Sequence, residues 1–409
     1  MFKYIILAIL AFNFIYDVIT SLLSHSRKDK PLPENVRDVY DEEQYKKWRA
    51  YSADVSRIGM FEAIFNFVLL FVLFATNVFS LVYNVMPGSE LVKSLLLMII
   101  YSLVMTVLSI PFDYYRTFKI EENYGFNKST KKTFIGDIFK NLIIGNIVNC
   151  LLLVVAYFLC RNMDWADYAI FVAIGCAFVI LINLIVPLVQ RIFNKFTLLE
   201  EGELRDKLTE MFASEGYKLE NIYVMDASRR TTKVNAYCSG IGKMKRIVLY
   251  DNLVNNYTPG EIAAVFAHEL AHFKHRDTAA LTLMSMFNVT VMISMISAFA
   301  IIPEISVDFG FESANMAFAL IAIMTAVMTP ILRVIGLFVN AISRSFERRA
   351  DSFAVKKGYG EDMISALKKL SKDNLSDLNP HPFIVTTEYS HPTLSQRIDL
   401  VEKKIADNK

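Results

Sequence analysis

Seven apolar runs, each long enough to cross a bilayer, constrain this chain more than any other feature. They lie near 4–23, 60–84, 91–112, 141–160, 167–189, 279–303 and 315–340. A hydrocarbon core needs roughly 20 apolar helical residues, because lipid offers no partner to an open peptide group. The chain is therefore expected to be an α-helical multi-span membrane protein. It is 54% hydrophobic but also 21% charged, so charge must collect between the runs. Two polar stretches, 190–278 and 341–409, are long enough to fold, although neither alone has enough chain for a generous core. The expected organisation is spans one to five with their loops (1–189), a first polar segment (190–278), spans six and seven (279–340) and a second polar segment (341–409). The two polar segments are expected to pack together as a small α+β domain against the membrane helices.

The first run carries Asn13 and Asp17 and has no small-residue cleavage site, so it reads as a retained span. The last is interrupted by Pro330 and Arg333. A neighbouring helix must then satisfy the carbonyl that the proline frees, and the arginine should face protein, water or the interface. Lysine and arginine alternate from loop to loop. They are abundant in 24–59, 113–140, 190–278 and 341–409, absent from 85–90 and 304–314, and represented only by Arg161 in 161–166. The positive-inside rule then places the N-terminus outside and both polar segments in the cytoplasm. The sequons at Asn127, Asn288 and Asn374 would lie in the cytoplasm or membrane, so no glycosylation is expected. A net charge of +2 with no basic domain gives no sign of a nucleic-acid partner. The four cysteines form no C-x-x-C pair and read as free thiols.

His268-Glu269-Leu270-Ala271-His272 carries the chemistry. In a helix the two imidazoles stand one turn apart on one face and can grip one Zn²⁺, with Glu269 poised to act as base on a water. Thr258-Pro259-Gly260-Glu261 gives that helix a capping box and an N1 proline. Ile262, Val265, Phe266, Leu270 and Phe273 supply its apolar side. Lys274, His275, Arg276 and Asp277 crowd its far end, and His275 there reads as a surface residue. Elsewhere in the first polar segment, Leu204–Glu215 reads as a helix. Asn221–Ala227, Lys233–Ser239 and Arg246–Tyr250 read as strands, with Gly240–Lys243 as a turn.

Two imidazoles need a third protein ligand. Glu347 and Asp351 stand at i and i+4 of a charged helix, so Glu347 can ligate while Asp351 accepts an imidazole N–H. The competing possibility is a solvated face on which Glu347 pairs with Arg344 or Arg348. Stabilising the oxyanion of an attacked carbonyl calls for donors or cations. His391 and Arg397 offer these, and His381-Pro382 is a rival pair that residue chemistry alone does not exclude.

The chain resembles the type I CAAX prenyl endopeptidases, gluzincin-type zinc metalloproteases of the membrane. The likeness rests on Ile120–Lys128, Phe193–Thr197, Asn235–Tyr237, Lys245–Asp251, the H-E-x-x-H, Ser343–Asp351 and Ser390–Arg397, all in the family's order. Leu198 stands where the family often has proline. The resemblance implies about seven transmembrane helices enclosing a water-filled chamber, with one Zn²⁺ per chain at its cytoplasmic end. It implies Glu347 as third ligand, Asp351 as the residue behind a ligand histidine, His391 and Arg397 as oxyanion or substrate groups, and Asn235 and Ala236 on an edge strand that pairs with substrate. The implied partners are the lipid bilayer and a prenylated or membrane-associated peptide. The implied location is the endoplasmic reticulum membrane in a eukaryote or the plasma membrane in a prokaryote. Asn66, Asn146, Asn149 and Asn288 then either line the chamber or bond helix to helix. A broad-specificity quality-control protease and an inactive zinc-bearing scaffold are the rival functions, and an intact Glu269 argues against the scaffold.

Overall fold

The computed structural model describes residues 1–28, 30–161, 163–216, 222–239 and 246–408. The first half holds α1 (Phe2–His25), α2 (Glu42–Ala75), α3 (Val78–Val85), α4 (Glu90–Tyr115), α5 (Lys131–Cys160) and α6 (Trp165–Phe193). A polar unit follows with β1 (Phe196–Leu198), α7 (Glu203–Ser214), β2 (Ile222–Met225), β3 (Ala236–Ser239), β4 (Arg246–Tyr250), α8 (Asp251–Asn256) and α9 (Pro259–Lys274). The chain returns to the bundle through α10 (Asp277–Ile301), α11 (Glu304–Val307), α12 (Met316–Ala322) and α13 (Met328–Lys356). It ends with α14 (Gly360–Asp373), α15 (Pro382–Glu388) and α16 (Leu394–Asp407).

Among the described residues, seven helices are long and apolar enough to cross a membrane, at the places the apolar runs predict. They carry exposed Phe61, Val68, Leu103, Ile147, Phe158, Leu283 and Phe338, apolar surface of the kind that lipid covers. Several helices outrun their apolar segment. α2 starts at Glu42 and α13 continues to Lys356, so both project beyond the apolar layer. The run 60–84 is not one helix. α2 stops at Ala75, Thr76 is extended, and α3 restarts after Asn77. The break is stabilised from α1, where Lys3 donates to Asn77 Oδ1 at 2.7 Å. It allows Phe79 to join Phe74, Phe309 and Phe318 in an aromatic cluster with centroid separations of 4.6–6.0 Å.

The interrupted last span is repaired by the first. A proline at 330 cannot bond the carbonyl of residue 326. Asn13 Nδ2 of α1 donates to Ala326 O at 3.1 Å instead, beside a π-helical turn at Ile323–Val327. Arg333 donates to Asp17 at 2.5 Å and to Asn13 Oδ1 at 3.2 Å. The polar residues of the two spans thus answer one another. Asn146 bonds helix to helix, donating to Ser102 Oγ at 3.1 Å.

The four strands form one sheet in the order β1-β2-β4-β3, with β2 and β4 parallel and the outer pairs antiparallel. β1 has no counterpart in the sequence reading, whereas β2, β3 and β4 fall inside the predicted segments and α7 starts one residue before its predicted start. The predicted turn at 240–243 and the start of the first predicted strand, Asn221, lie outside the described residues. Both polar segments share one core: Leu208, Phe212, Leu249, Phe266 and Leu270 pack with Ala350, Phe353, Leu394 and Ile398. The loop before α2 also joins it through Val36 and Val39, and the first turns of α2 through Trp48, a contribution that the polar composition of this stretch hides. Glu215 is clasped by Lys274 at 2.6 Å and Lys357 at 2.5 Å, tying α7 to α9 and α13.

Candidate metal centre

α9 is fixed at its start by its own side chains. Thr258 Oγ1 accepts from Glu261 N–H at 3.2 Å, and Glu261 accepts from Thr258 N–H at 2.8 Å. Next to the cap, a Cβ on Gly260 would stand 2.4 Å from Asp362 Oδ1, so any side chain there would have to displace the Asp362 carboxylate of α14. Along the helix, Ala263, Ala264, Ala267 and Ala271 are buried and small. α13 answers with Ala350 and Ala354, and the two helices pack closely. Burying Phe266 and Leu270 contributes about 1.5–3 kcal/mol each, which holds α9 in place. That close approach delivers Glu347 to the histidine pair.

His268, His272 and Glu347 offer ligand atoms that all lie within 4.8 Å of one another. The two Nε2 atoms are 3.1 Å apart. Glu347 Oε2 stands 3.3 Å from His268 Nε2, and Oε1 stands 3.4 Å from His272 Nε2. Both Nδ1 atoms face carboxylates: His268 meets Asp351 at 2.9 Å and His272 meets Asp277 at 2.8 Å. A carboxylate on Nδ1 keeps the proton there and turns the Nε2 lone pair inward. Two lone pairs facing at this distance repel unless a cation or proton lies between them. Burial alone would lower the His268 pKa, but its bonds to Asp351 and Glu347 outweigh that and hold it up at about 9. The buried Glu347 Oε2 makes no well-directed hydrogen bond, leaving an acceptor for a metal. This donor set fits a divalent cation that takes nitrogen and oxygen.

The two supporting acids are themselves held. Asp351 is fully buried and takes Arg397 Nε at 2.9 Å and Nη2 at 2.6 Å. Asp277 bonds Arg349. Sequence reasoning missed Asp277, which reads as one more charge past the helix end. The deciding feature is backbone: Arg276 adopts φ 58°, a left-handed conformation uncommon for a residue with a Cβ. That turn starts α10 at once and sends Asp277 back towards His272. Asp277→Ala should lower metal affinity by about 10–100-fold. Competition with a chelating dye would check this, and unchanged affinity would contradict it.

The remaining candidates sort by position. Glu269 is half-buried beside His268 on the same turn. His391 Nε2 lies 3.3 Å from Glu347 Oε1, its Nδ1 is 2.9 Å from Ser390 Oγ, and its side chain is 59% exposed. Arg397 Nη2 is 3.8 Å from Glu347 Oε2. His381 is remote in role: it caps α15, its Nδ1 accepting from Phe383 N–H at 3.2 Å. His275 is exposed at the end of α9. Arg344 does not pair with Glu347 but donates to Val385 O at 3.0 Å and Tyr389 O at 2.6 Å, closing the end of α15. Ala236 opens β3, an edge strand that lies against α9, and Asn235 immediately precedes it.

Residues 198–405 match the model of peptidase family M48. The chain belongs to peptidase family M48. Residues 21–195 match the CAAX prenyl protease N-terminal model, described as five membrane helices. The chain is 32% identical to the CAAX prenyl protease 1 homolog of Arabidopsis thaliana, over 91% of this chain and 90% of that one. It is 30% identical to CAAX prenyl protease 1 of Saccharomyces cerevisiae, over 91% and 88%. The crystal structure of S. mikatae Ste24p superposes with a TM-score of 0.91 at 27% identity, covering 98% of this chain and 99% of that one. This M48 member is therefore a membrane metalloprotease whose fold follows that crystal structure across nearly its whole length.

Proposed function

We propose that this M48 protein is a zinc metalloendopeptidase that removes the C-terminal tripeptide from prenylated CAAX proteins. The observation that carries the mechanism is the convergence of His268, His272 and Glu347, each histidine backed by its own carboxylate. Zn²⁺ held by these three residues would supply Lewis acidity, polarising the scissile carbonyl and acidifying the attacking water. Glu269 takes the water's proton as the new C–O bond forms. It then passes that proton to the amine that leaves as the C–N bond breaks. His391, exposed at the rim, donates to the oxyanion. Arg397 adds positive charge there and holds Asp351 in line. The edge of β3 from Asn235 and Ala236 pairs with the extended peptide, binding it through backbone without demanding a sequence. The lysine-poor and lysine-rich loops support a site on the cytoplasmic face.

A prenyl tail prefers the apolar surface of the bundle, whereas hydrolysis needs water. A farnesylated CAAX peptide should therefore be cut after its modified cysteine with kcat/KM at least about tenfold above the unmodified peptide, a difference of about 1.4 kcal/mol. A chelator should abolish cleavage and added Zn²⁺ should restore it. Mass spectrometry of the products checks both. Equal cleavage of the two peptides, at many positions, would favour a quality-control protease.

A further inference from the structure

The edge that is proposed to bind substrate is closed at one end. β3 pairs with β4 through alternate residues, and Tyr250 N–H donates to Asn235 O at 3.1 Å. Successive residues of a strand turn their peptide groups to opposite sides. The groups of 234, 236 and 238 therefore point outward, away from β4. Ala236 N–H is held at 2.9 Å by the side chain of its neighbour Asn235, a local bond that an incoming carbonyl can replace. Val234 is different. Its N–H donates to Asn374 Oδ1 at 3.1 Å, and its C=O accepts from Asn374 Nδ2 at 3.2 Å. One side-chain amide thus occupies the place of a strand neighbour.

Asn374 is rigidly presented. It ends α14, and Leu375 after it adopts φ 49°. Ser376 N–H closes the turn on Ser371 O at 2.9 Å, and Tyr40 OH donates to Ser371 O at 3.0 Å and Ser376 O at 2.9 Å. Asn252 Nδ2 fixes the same segment through Thr231 O at 2.8 Å and Lys233 O at 3.2 Å. Lys233 lies nearby, but its ammonium is engaged by Glu121 at 3.0 Å and Tyr51 OH at 3.1 Å. The closure is therefore made by Asn374.

We infer that Asn374 is a positioning residue that stops a bound peptide at Val234 and so sets how many residues extend past the scissile bond. This inference rests on the prenyl-peptide reading above. The direction follows from the substrate: on the amino side of the cut lies a whole protein, which needs an open path, so only the short carboxyl-terminal end can meet a stop. Residues beyond it find no free peptide groups and run into the end of α14.

The test uses the full-length protein in detergent or lipid with two farnesylated peptides, one ending at the CAAX terminus and one extended by two residues. The wild type should cut the extended peptide with kcat/KM lower by at least about tenfold, the cost of leaving its peptide groups unpaired. Asn374→Ala should bring the two peptides within about threefold, with kcat on the standard peptide near wild type and its KM raised. If that variant does not fold, Asn374→Asp keeps the acceptor for Val234 N–H and loses the donor, and should relax the discrimination in part. Wild-type protein that cuts both peptides equally would overturn the stop alone. So would a variant that loses activity on both in proportion. Failure to release a tripeptide from the standard peptide would instead overturn the prenyl-peptide reading, and the stop with it.

Discussion

Exchanging Glu269 for glutamine should lower kcat by about three orders of magnitude, within the range a positioned general base contributes. KM should change little, because the amide keeps the size of the carboxylate and the proposed peptide-binding edge of β3 is untouched. Metal content should stay near one per chain, because the three candidate ligand atoms come from His268, His272 and Glu347. Steady-state kinetics on the farnesylated peptide and metal analysis of the same sample read both quantities. An active variant would remove Glu269 from the mechanism. Loss of metal together with activity would make it a structural residue instead.

Glu347→Ala should act by another route and abolish both metal and turnover. The substitution removes the carboxylate that faces both Nε2 atoms, at 3.3 and 3.4 Å. Two imidazoles alone form a weak site, so the purified variant should hold well under one equivalent of metal. Its thermal midpoint should also stop responding to added Zn²⁺, because a ligand stabilises only the state that binds it. A variant that retained stoichiometric metal would show that another group completes the site, and His391, 3.3 Å from the same carboxylate, would be the first candidate.

The contrast between these residues and Asp277 shows where a sequence stops being informative. The spans are legible because lipid demands unbroken apolar helices, and the histidine pair because one helical turn fixes its spacing. Glu347 and Asp351 are legible as a pair for the same reason. Which of their partners wins is decided by the approach of α13 to α9 across buried alanines, and alanines in a sequence look unremarkable. Asp277 depends on one left-handed residue, Arg276, where a glycine would ordinarily advertise the turn. The break at Thr76 is likewise hidden: Asn77 is answered by Lys3, more than seventy positions away, and local hydropathy cannot register such a partner. The asparagine of α1 shows the reverse case. Pro330 announces an orphan carbonyl, but only the packed bundle reveals that Asn13 satisfies it.

X-ray absorption at the zinc edge of the purified wild-type protein tests the central claim most directly. One zinc per chain is expected, with only nitrogen and oxygen neighbours at about 2.0–2.2 Å and an imidazole signature for two histidines. Sulfur neighbours at about 2.3 Å, or a wild-type protein that is fully active with no bound metal, would contradict it.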